Sequence, residues 1–344
     1  MVFYGCRVSV CWLCGFILTL SLGFAAEKKP SDFEIDVAKL EPVTPETKHA
    51  IQDCLIDLES TPLLVQRLAV VVTGEVFTGG RIEGQEAVNA KQFAIGWVTQ
   101  AGAKNQRVIF QGASLLNPVL RDRDGQRYVQ SSANSFDQLK RGDEYFEARG
   151  PKRYPMSRKP RLAPLLKVSG VFYPTTATTA TATEWYRGSA ANPLAARVEI
   201  ERLVSSYQEG KKTIAEFYYQ SNDSAVLHRF IVFEGGVPIQ VEDRMAMSTP
   251  GRFRLVSLLQ PKSADLEQMK RTRESAVPVA RTQTKWKKIQ ADLQVPIEIR
   301  SRTINGPHAI EFVANCVWLT NEKIKPVAFE PTSVGTLTPL QLID

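Results

Sequence analysis

The sequence has little of the material from which metal, redox and hydrolytic sites are built. It contains three His and five Cys in 344 residues, and beyond the first 25 residues no His or Cys stands at metal-ligand spacing. Nucleophile elbows, phosphate-binding loops, dinucleotide-binding glycines, zinc-protease histidine pairs and a Cys-x-x-Cys pair in the same region are absent as well. We therefore expect no metal, no cofactor and no enzymatic activity, and a hydrolase without a recognisable motif is the least favoured function.

The composition is that of an ordinary folded protein. Apolar residues make up 43% of the chain and charged residues 23%, with 21 Gly and 20 Pro, which excludes collagen-like, disulfide-dense and wholly disordered classes. The formal net charge of +7 is moderate, and it is as consistent with a role in solubility as with binding to an anionic partner. We expect no nucleic-acid partner.

The first 25 residues have the pattern of a secretory signal peptide. Arg7 precedes an uncharged, mostly apolar run over 8–23, and cleavage after Ala25 places Gly23 and Ala25 where small residues are required. An uncleaved membrane anchor is the alternative, but these 16 residues fall short of the ~20 that a spanning helix needs. We expect an exported protein, either periplasmic or secreted.

Two cysteines, Cys54 and Cys316, remain after residues 1–25 are removed. An even pair in an exported chain is a candidate disulfide. The alternative is two buried thiols, because free cysteine packs as a small hydrophobic residue. A bond would fasten the first predicted helix over a late strand.

Apolar runs separated by glycine turns predict an antiparallel meander. Thr44 and Pro45 have the pattern of a helix start, and an apolar stripe predicts a helix over 45–59 that ends at Thr61-Pro62. A second helix is expected over about 263–274. Together these elements indicate an α+β fold, in which a few helices cover one curved sheet.

We expect a single domain over residues 44–331, between a flexible leader (26–43) and a tail (332–344). The excursion at 149–183 interrupts it. Its first part, 149–167, carries seven bases and no acid, and its four prolines argue against regular structure. A solvated loop is the simplest interpretation, and contact with an anionic envelope surface is the alternative.

The carboxyl-terminal third carries a family resemblance. The run Thr284-Lys-Trp-Lys-Lys288 is followed by Val295–Ile299, by Phe312–Trp318 and by Phe329-Glu-Pro331. This succession resembles the final strands of the LolA-like superfamily of periplasmic lipoprotein-sorting carriers, and the Phe93–Trp97 strand fits the earlier part. The resemblance implies a strongly curved antiparallel half-barrel around an apolar cavity for acyl chains, with no catalytic residues. The basic excursion and the greater length depart from the superfamily pattern.

The second predicted helix is rich in charge, so two helices leave part of the sheet face uncovered, and uncovered apolar surface usually marks a binding site. We expect an exported protein that binds lipid or another apolar ligand. A structural or interaction protein of the cell envelope is the alternative. The predicted hollow is lined by some of Phe93, Ile95, Trp97, Ile109, Phe217, Phe230 and Trp286.

Overall fold

Antiparallel strands dominate the computed structural model. It describes residues 32–78, 90–100, 104–112, 120–123, 126–129, 136–149, 152–155, 200–220, 226–246, 266–290, 293–303 and 310–342. The predicted signal peptide and most of the 149–183 excursion lie outside these residues. The residues from Ile35 onward belong to one compact unit.

Sixteen strands and two α-helices are present in the described residues. The strands are β1 (Glu41–Pro42), β2 (Arg67–Thr78), β3 (Ala90–Gln100), β4 (Asn105–Gly112), β5 (Leu120–Arg123), β6 (Gln126–Val129), β7 (Phe136–Arg141), β8 (Glu144–Arg149), β9 (Lys152–Pro155), β10 (Leu203–Glu209), β11 (Lys212–Gln220), β12 (Val226–Glu234), β13 (Val237–Ala246), β14 (Val277–Lys288), β15 (Gln294–Thr303) and β16 (Ile310–Thr320). The helices are α1 (Pro45–Leu64) and α2 (Leu266–Ser275). Short 3₁₀ turns follow at Val37–Lys39, Asn321–Lys323, Pro326–Phe329, Pro331–Ser333 and Leu340–Leu342.

Fourteen of the strands form one open sheet, in the order β1-β10-β11-β12-β13-β14-β15-β16-β2-β3-β4-β7-β8-β9. Two meanders, one from each half of the chain, are joined where β16 pairs with β2 over eleven residue pairs, from Ile310↔Thr78 to Thr320↔Leu68. The predicted antiparallel meander is therefore confirmed. Strands β5 and β6 form a separate two-stranded hairpin.

The two sides of the sheet carry different segments. Helix α1 packs on the side that carries Val241, Thr282 and Ser301, which are paired across β13, β14 and β15. We call this side the α1 face. The opposite side is the α2 face, because Met269 of α2 packs there against Tyr218.

Helix α1 starts as the sequence predicts and ends later. Thr44 Oγ1 accepts a hydrogen bond from the Thr47 amide at 3.2 Å, which caps the helix. The helix continues through Thr61-Pro62 to Leu64, so the predicted end is wrong. Pro62 stands two residues before the helix end, where its missing amide affects only the final turn.

One end of the sheet lies under helix α1. Cys54 Sγ donates to Gly236 O at 2.7 Å in the β12–β13 turn, and the chain leaves α1 to enter β2 at Arg67. The 20 residues of α1 extend over about 30 Å, and six strand spacings from β11 to β2 amount to about 29 Å. The helix therefore has the length needed to cross these strands at the end that holds both the β12–β13 turn and the start of β2.

Three segments that were predicted to lie outside the domain or outside regular structure contribute to the fold. Lys152–Pro155 forms β9 and pairs with β8, so the expectation of no regular structure is wrong for these four residues. An edge strand tolerates proline because one side of it needs no ladder hydrogen bond. Glu41 and Pro42 of the predicted leader pair with β10, and Val334 and Leu342 of the predicted tail are buried.

Candidate ligand-binding site

Small side chains line the α1 face of the central strands. None is more than 6% exposed, and Thr282 Oγ1 donates to Ser301 Oγ at 2.9 Å between β14 and β15. They lie outside the apolar cluster that α1 forms with β10–β13. The five are Ala280, Thr282, Thr284, Ser301 and Ala314.

The other side of the same strands carries charged and polar groups. Arg281, Gln283 and Lys285 alternate with the small residues of β14 and are half-buried, and Asn315 and Val317 of β16 are exposed. Alternation of this kind places one sheet face in the interior and the other toward water. The α1 face of β14–β16 is therefore the one suited to an apolar ligand.

An aromatic pair stands on the α1 face next to these strands. Trp318, Val70 and Trp97 are paired in one row across β16, β2 and β3. The rings of Trp97 and Trp318 meet edge to face, with centroids 6.4 Å apart and planes at 72°. Val65, just beyond α1, packs in the same cluster, so the pair lies close to the end of α1.

The five predicted lining residues whose side chains the structure describes lie in different places on the sheet. Phe217 and Trp286 pack in the α1 cluster, and Trp97 stands across the sheet beside Trp318. Phe93 and Ile95 belong to β3, and their side chains lie outside the described part of the structure.

Ile109 and Phe230 lie on the α2 face, opposite to the side that carries Trp97, so a hollow on the α1 face can include only some of the predicted residues. Ile109 pairs with Gly96, the neighbour of Trp97, and packs against the carboxyl-terminal segment. Phe230 stacks on His228, with centroids 6.5 Å apart. Consecutive strand residues point to opposite faces, and the sequence alone did not fix which face each strand buries.

A groove of about 410 Å³ opens between the start of α1 and the turns of β10–β13. It contains none of the five predicted residues whose side chains the structure describes. Ala50, Ile51 and Phe233 provide an apolar floor, and Glu46 and Lys211 provide one charge of each sign. Its volume falls within the range of small-molecule sites.

Both cysteines are free thiols in the structure, so the predicted bond is not formed. Cys54 makes its hydrogen bond with the Gly236 carbonyl, and burial, aided by the charge of Asp57, raises the pKa of Cys54 to about 12. Burial also raises the pKa of Cys316. Of the two free thiols, Cys316 is buried and Cys54 is partly buried.

A buried charged group, which sequence reasoning missed, fastens α2 to the sheet. Glu216 accepts hydrogen bonds from Ser205, from Arg273 Nε at 3.0 Å and from His228 Nδ1 at 2.7 Å. His228 Nε2 lies 3.0 Å from Thr272 Oγ1. The sequence clue is the placement of Ser205, Glu216 and His228 inside otherwise apolar strands.

Glu216 stays ionised because of these partners. Burial alone would raise its pKa, but the hydrogen bonds from His228, Arg273 and Ser205 and the charge of Arg273 outweigh burial, so the pKa lies below its usual range. Glu216 and His228 are 0% exposed. The group therefore holds α2 in place and offers no surface to a substrate.

A second buried ion pair holds the carboxyl-terminal segment, residues 321–342, on the α2 face. Arg107 makes a two-pronged contact with Asp137, at 2.8 and 2.6 Å, and donates to the carbonyls of Ala328 and Ser333. Asp137 in turn accepts from the Gly335 amide at 2.7 Å. The segment therefore covers the α2 face of β3 and β4.

Within the described ranges, no group of three or more His, Cys, Asp or Glu side chains has the arrangement of a metal site. The described helices include none that is long and apolar enough to cross a membrane.

No protein-family model and no curated protein matches this chain. Among solved structures, a LolA superfamily protein from Nitrosomonas europaea is 9% identical, with a TM-score of 0.39 over 83% of this chain and 98% of that chain. A DUF1329 family protein from Desulfovibrio piger is 6% identical, with a TM-score of 0.40 and the same coverage, 83% and 98%. A porin-like protein from Bacteroides uniformis is 7% identical, with a TM-score of 0.20 over 74% of this chain and 96% of that chain. The first of these solved structures is named for the superfamily that the carboxyl-terminal sequence resembles.

Proposed function

We propose that this protein is an exported, non-enzymatic binding protein that holds an apolar ligand, of the acyl-chain type, against the α1 face of its sheet. The observation that carries the proposal is the row of small, buried side chains on the α1 face of β14–β16, opposite a face that is polar and partly exposed. Small side chains occupy less of the space above the sheet than large ones, so an apolar body would fit against them, and a half-barrel curvature of these strands would give that space its walls.

The position of α1 supports the same function. Its apolar residues Ile51, Leu55 and Leu58 pack on β10–β13, and the row of small residues lies outside that cluster. The Trp97–Trp318 pair stands at the opposite side of the row, on β3 and β16. An apolar ligand on the small residues therefore has the α1 cluster on one side and an aromatic wall on the other.

The proposal is tested by filling the site. Ala314→Leu adds volume on the α1 face, and it is expected to abolish saturable binding of a pyrene-labelled acyl methyl ester probe while the melting temperature changes by only a few degrees. Asn315→Leu is the matched control, because the neighbouring residue is exposed on the α2 face. A wild-type protein without saturable probe binding would contradict the proposal.

Trp97→Ala provides a second test on the aromatic wall. We expect it to weaken probe binding more than it lowers the melting temperature, because part of the Trp97 side chain remains accessible. If this variant and the wild type bind the probe with equal affinity, the ligand does not contact Trp97. The groove beside the start of α1 would then be the next site to test by a substitution that fills it.

Export is part of the proposal and is supported by the pattern of residues 1–25. Amino-terminal sequencing of the mature protein is expected to begin near Ala26. An intact Met1 on a cytosolic product would contradict export without affecting ligand binding.

A second candidate function, contact with an anionic envelope surface, is favoured by a group of charges on the α2 face. Glu242 binds Arg244 at 2.7 Å and also binds Arg281, whereas Glu298 binds Lys285 at 3.0 Å and Arg300 at 2.6 Å. Four cations thus surround two carboxylates, which leaves this group with an excess of positive charge.

Vesicles distinguish the two functions. If the second candidate is correct, the wild type sediments with anionic vesicles and not with neutral ones. The double variant Lys285→Glu/Arg300→Glu then loses vesicle binding but still binds the acyl ester probe. If the wild type binds neither anionic nor neutral vesicles, the second candidate is wrong, and the ion pairs of Glu242 and Glu298 only stabilise the sheet.

A further inference from the structure

In the part of the chain that the structure describes, two buried polar atoms on the α1 face have no hydrogen-bond partner: Trp97 Nε1 and Thr99 Oγ1. Thr99 is 1% exposed. The two residues are two apart in β3, so they point to the same face and are separated by about 7 Å along the strand. Buried polar atoms in native proteins are nearly always paired, so two unpaired atoms on one strand face call for an explanation.

The other described tryptophans show that this chain normally satisfies an indole. Trp286 Nε1 donates to Pro238 O at 2.7 Å, and Trp318 Nε1 donates to Pro296 O at 2.6 Å. Trp97 touches the ring of Trp318 and still has no acceptor for its own N–H. Trp97 therefore differs from Trp286 and Trp318, because its indole N–H alone of these three has no acceptor.

The surroundings of these two atoms favour a neutral partner. The residues paired with Trp97 and Thr99 on β2 and β4 are uncharged: Val70, Leu68, Val108 and Gln106. A carboxylate placed among them lacks a counter-charge and pays a large desolvation cost. An indole N–H is only a donor, whereas a hydroxyl both donates and accepts, so the missing partner must be an acceptor for Trp97.

From this geometry we infer that the ligand carries a neutral carbonyl oxygen, as in an acyl ester or amide, and that the Trp97 N–H and the Thr99 hydroxyl bind its polar end. The inference rests on the proposed function and adds to it the class of ligand. The alkyl part then lies along the small residues of β14–β16, beyond the Trp97–Trp318 wall. A pure hydrocarbon fills the same space and leaves both polar atoms unpaired, so the site prefers the ester.

The test compares two pyrene-labelled probes of equal chain length, one an acyl methyl ester and the other an alkane without the carbonyl. The wild type is expected to bind the ester about tenfold more tightly, since two hydrogen bonds of ordinary net strength are gained. Trp97→Phe keeps an aromatic ring and removes the N–H, and Thr99→Val keeps the shape and removes the hydroxyl. Each is expected to reduce the ester preference, which is the ratio of the two probe affinities measured in the same variant, by about threefold.

Trp318→Phe is the matched control, because it also loses an indole N–H but one that is already bonded to a carbonyl. This variant is expected to keep the ester preference. A purely structural role of Thr99 predicts a loss of stability in Thr99→Val without ligand, whereas an unpaired hydroxyl predicts no loss.

The outcomes separate the inference from the proposed function. If both probes bind with equal affinity in the wild type, or if the ester preference survives in both variants, the two atoms are satisfied by water and the inference fails while ligand binding stands. If neither probe binds, both the inference and the proposed function fail. An ester preference that falls in Trp97→Phe and Thr99→Val, and persists in Trp318→Phe, supports the inference.

Discussion

Helix α2 and the carboxyl-terminal segment both pack on the α2 face, and each is attached by a buried ion pair of different composition. Arg107 reaches the carboxyl-terminal segment through backbone carbonyls and is paired with Asp137. Arg273 of α2 instead meets Glu216, which also binds His228. The first attachment therefore depends on the path of the backbone, and the second depends on the ionisation of an acid beside a histidine.

The difference shows how one sheet face holds two unlike segments. The carboxyl-terminal segment is made of short 3₁₀ turns whose carbonyl groups need donors, and an arginine offers five N–H donors in a fixed plane. Helix α2 forms its backbone hydrogen bonds within the helix, so only its side chains are available to bind the sheet. A buried carboxylate with several donors is a suitable anchor for such a helix, provided that it remains ionised.

The largest expected effect is at Arg107. Arg107→Met leaves the Asp137 carboxylate buried without its charge partner, and we expect a loss of about 3–5 kcal/mol in the free energy of unfolding. Urea unfolding measures the loss. Asp137→Leu added to this variant is expected to restore part of the stability, because the unpaired charge is then removed. A loss below 1 kcal/mol in the single variant would show that the segment is held by apolar contacts.

The attachment of α2 is expected to depend on pH. The pKa of Glu216 is lowered in the folded state, so its contribution is complete above the unfolded pKa of about 4.3 and is lost as the pH falls through the folded pKa. Glu216→Gln is expected to cost about 2 kcal/mol at neutral pH and to flatten the decline in stability below pH ~4.

Unfolding of the wild type and Glu216→Gln at a series of pH values checks this dependence. The difference between the two proteins is expected to shrink toward acid pH. A constant difference from pH 7 to pH 3 would mean that ionisation of Glu216 does not hold α2, and the contrast with Arg107 would disappear.

An effect of similar size is expected at Gly96, where the carboxyl-terminal segment packs closely against the sheet. A Cβ at this position would lie 2.6 Å from Leu342 Cδ1 and 3.0 Å from Pro339 Cα. Gly96→Ala is therefore expected to cost about 1–3 kcal/mol. Leu342→Ala in the same chain relieves the side-chain contact and leaves the backbone contact, so only part of the new strain is recovered. Differential scanning calorimetry provides the measurement, and an unchanged melting temperature would contradict the packing.

The smallest effect is expected from reduction. Cys54 and Cys316 are free, so a reducing agent is expected to leave the melting temperature unchanged. Thiol labelling of the denatured protein without reductant is expected to modify both cysteines. The native protein is expected to react slowly, because burial raises both pKa values and little thiolate forms. If neither cysteine reacts under denaturing conditions, Cys54 and Cys316 form a disulfide and this prediction is wrong.

Local patterns in the sequence predicted the elements well where one residue type decides the outcome. Thr44 caps α1 as expected, the glycine turns separate paired strands, and α2 spans Leu266–Ser275, close to the predicted 263–274. The predicted lining residues fared less well. Trp97 and Ile109 lie on adjacent strands, and a shift of one residue in register moves a side chain to the other face.

The charged groups were missed for a related reason. Glu216, His228 and Arg273 come from β11, β12 and α2, and Arg107 and Asp137 come from β4 and β7. Each residue by itself looks like an ordinary polar position in a strand or helix. Pairing across strands and between distant segments brings them together, and no spacing along the chain reports it.

The sequence by itself determined the antiparallel strands, the two helices and the shortage of catalytic material, because these depend on residue type and on contacts between near neighbours. The tertiary structure alone decided that β16 pairs with β2, that Arg107 and Glu216 anchor separate segments, and that Trp97 and Thr99 leave polar atoms unpaired on the α1 face. These features depend on long-range strand pairing, which sets the register and thereby chooses the face of every side chain.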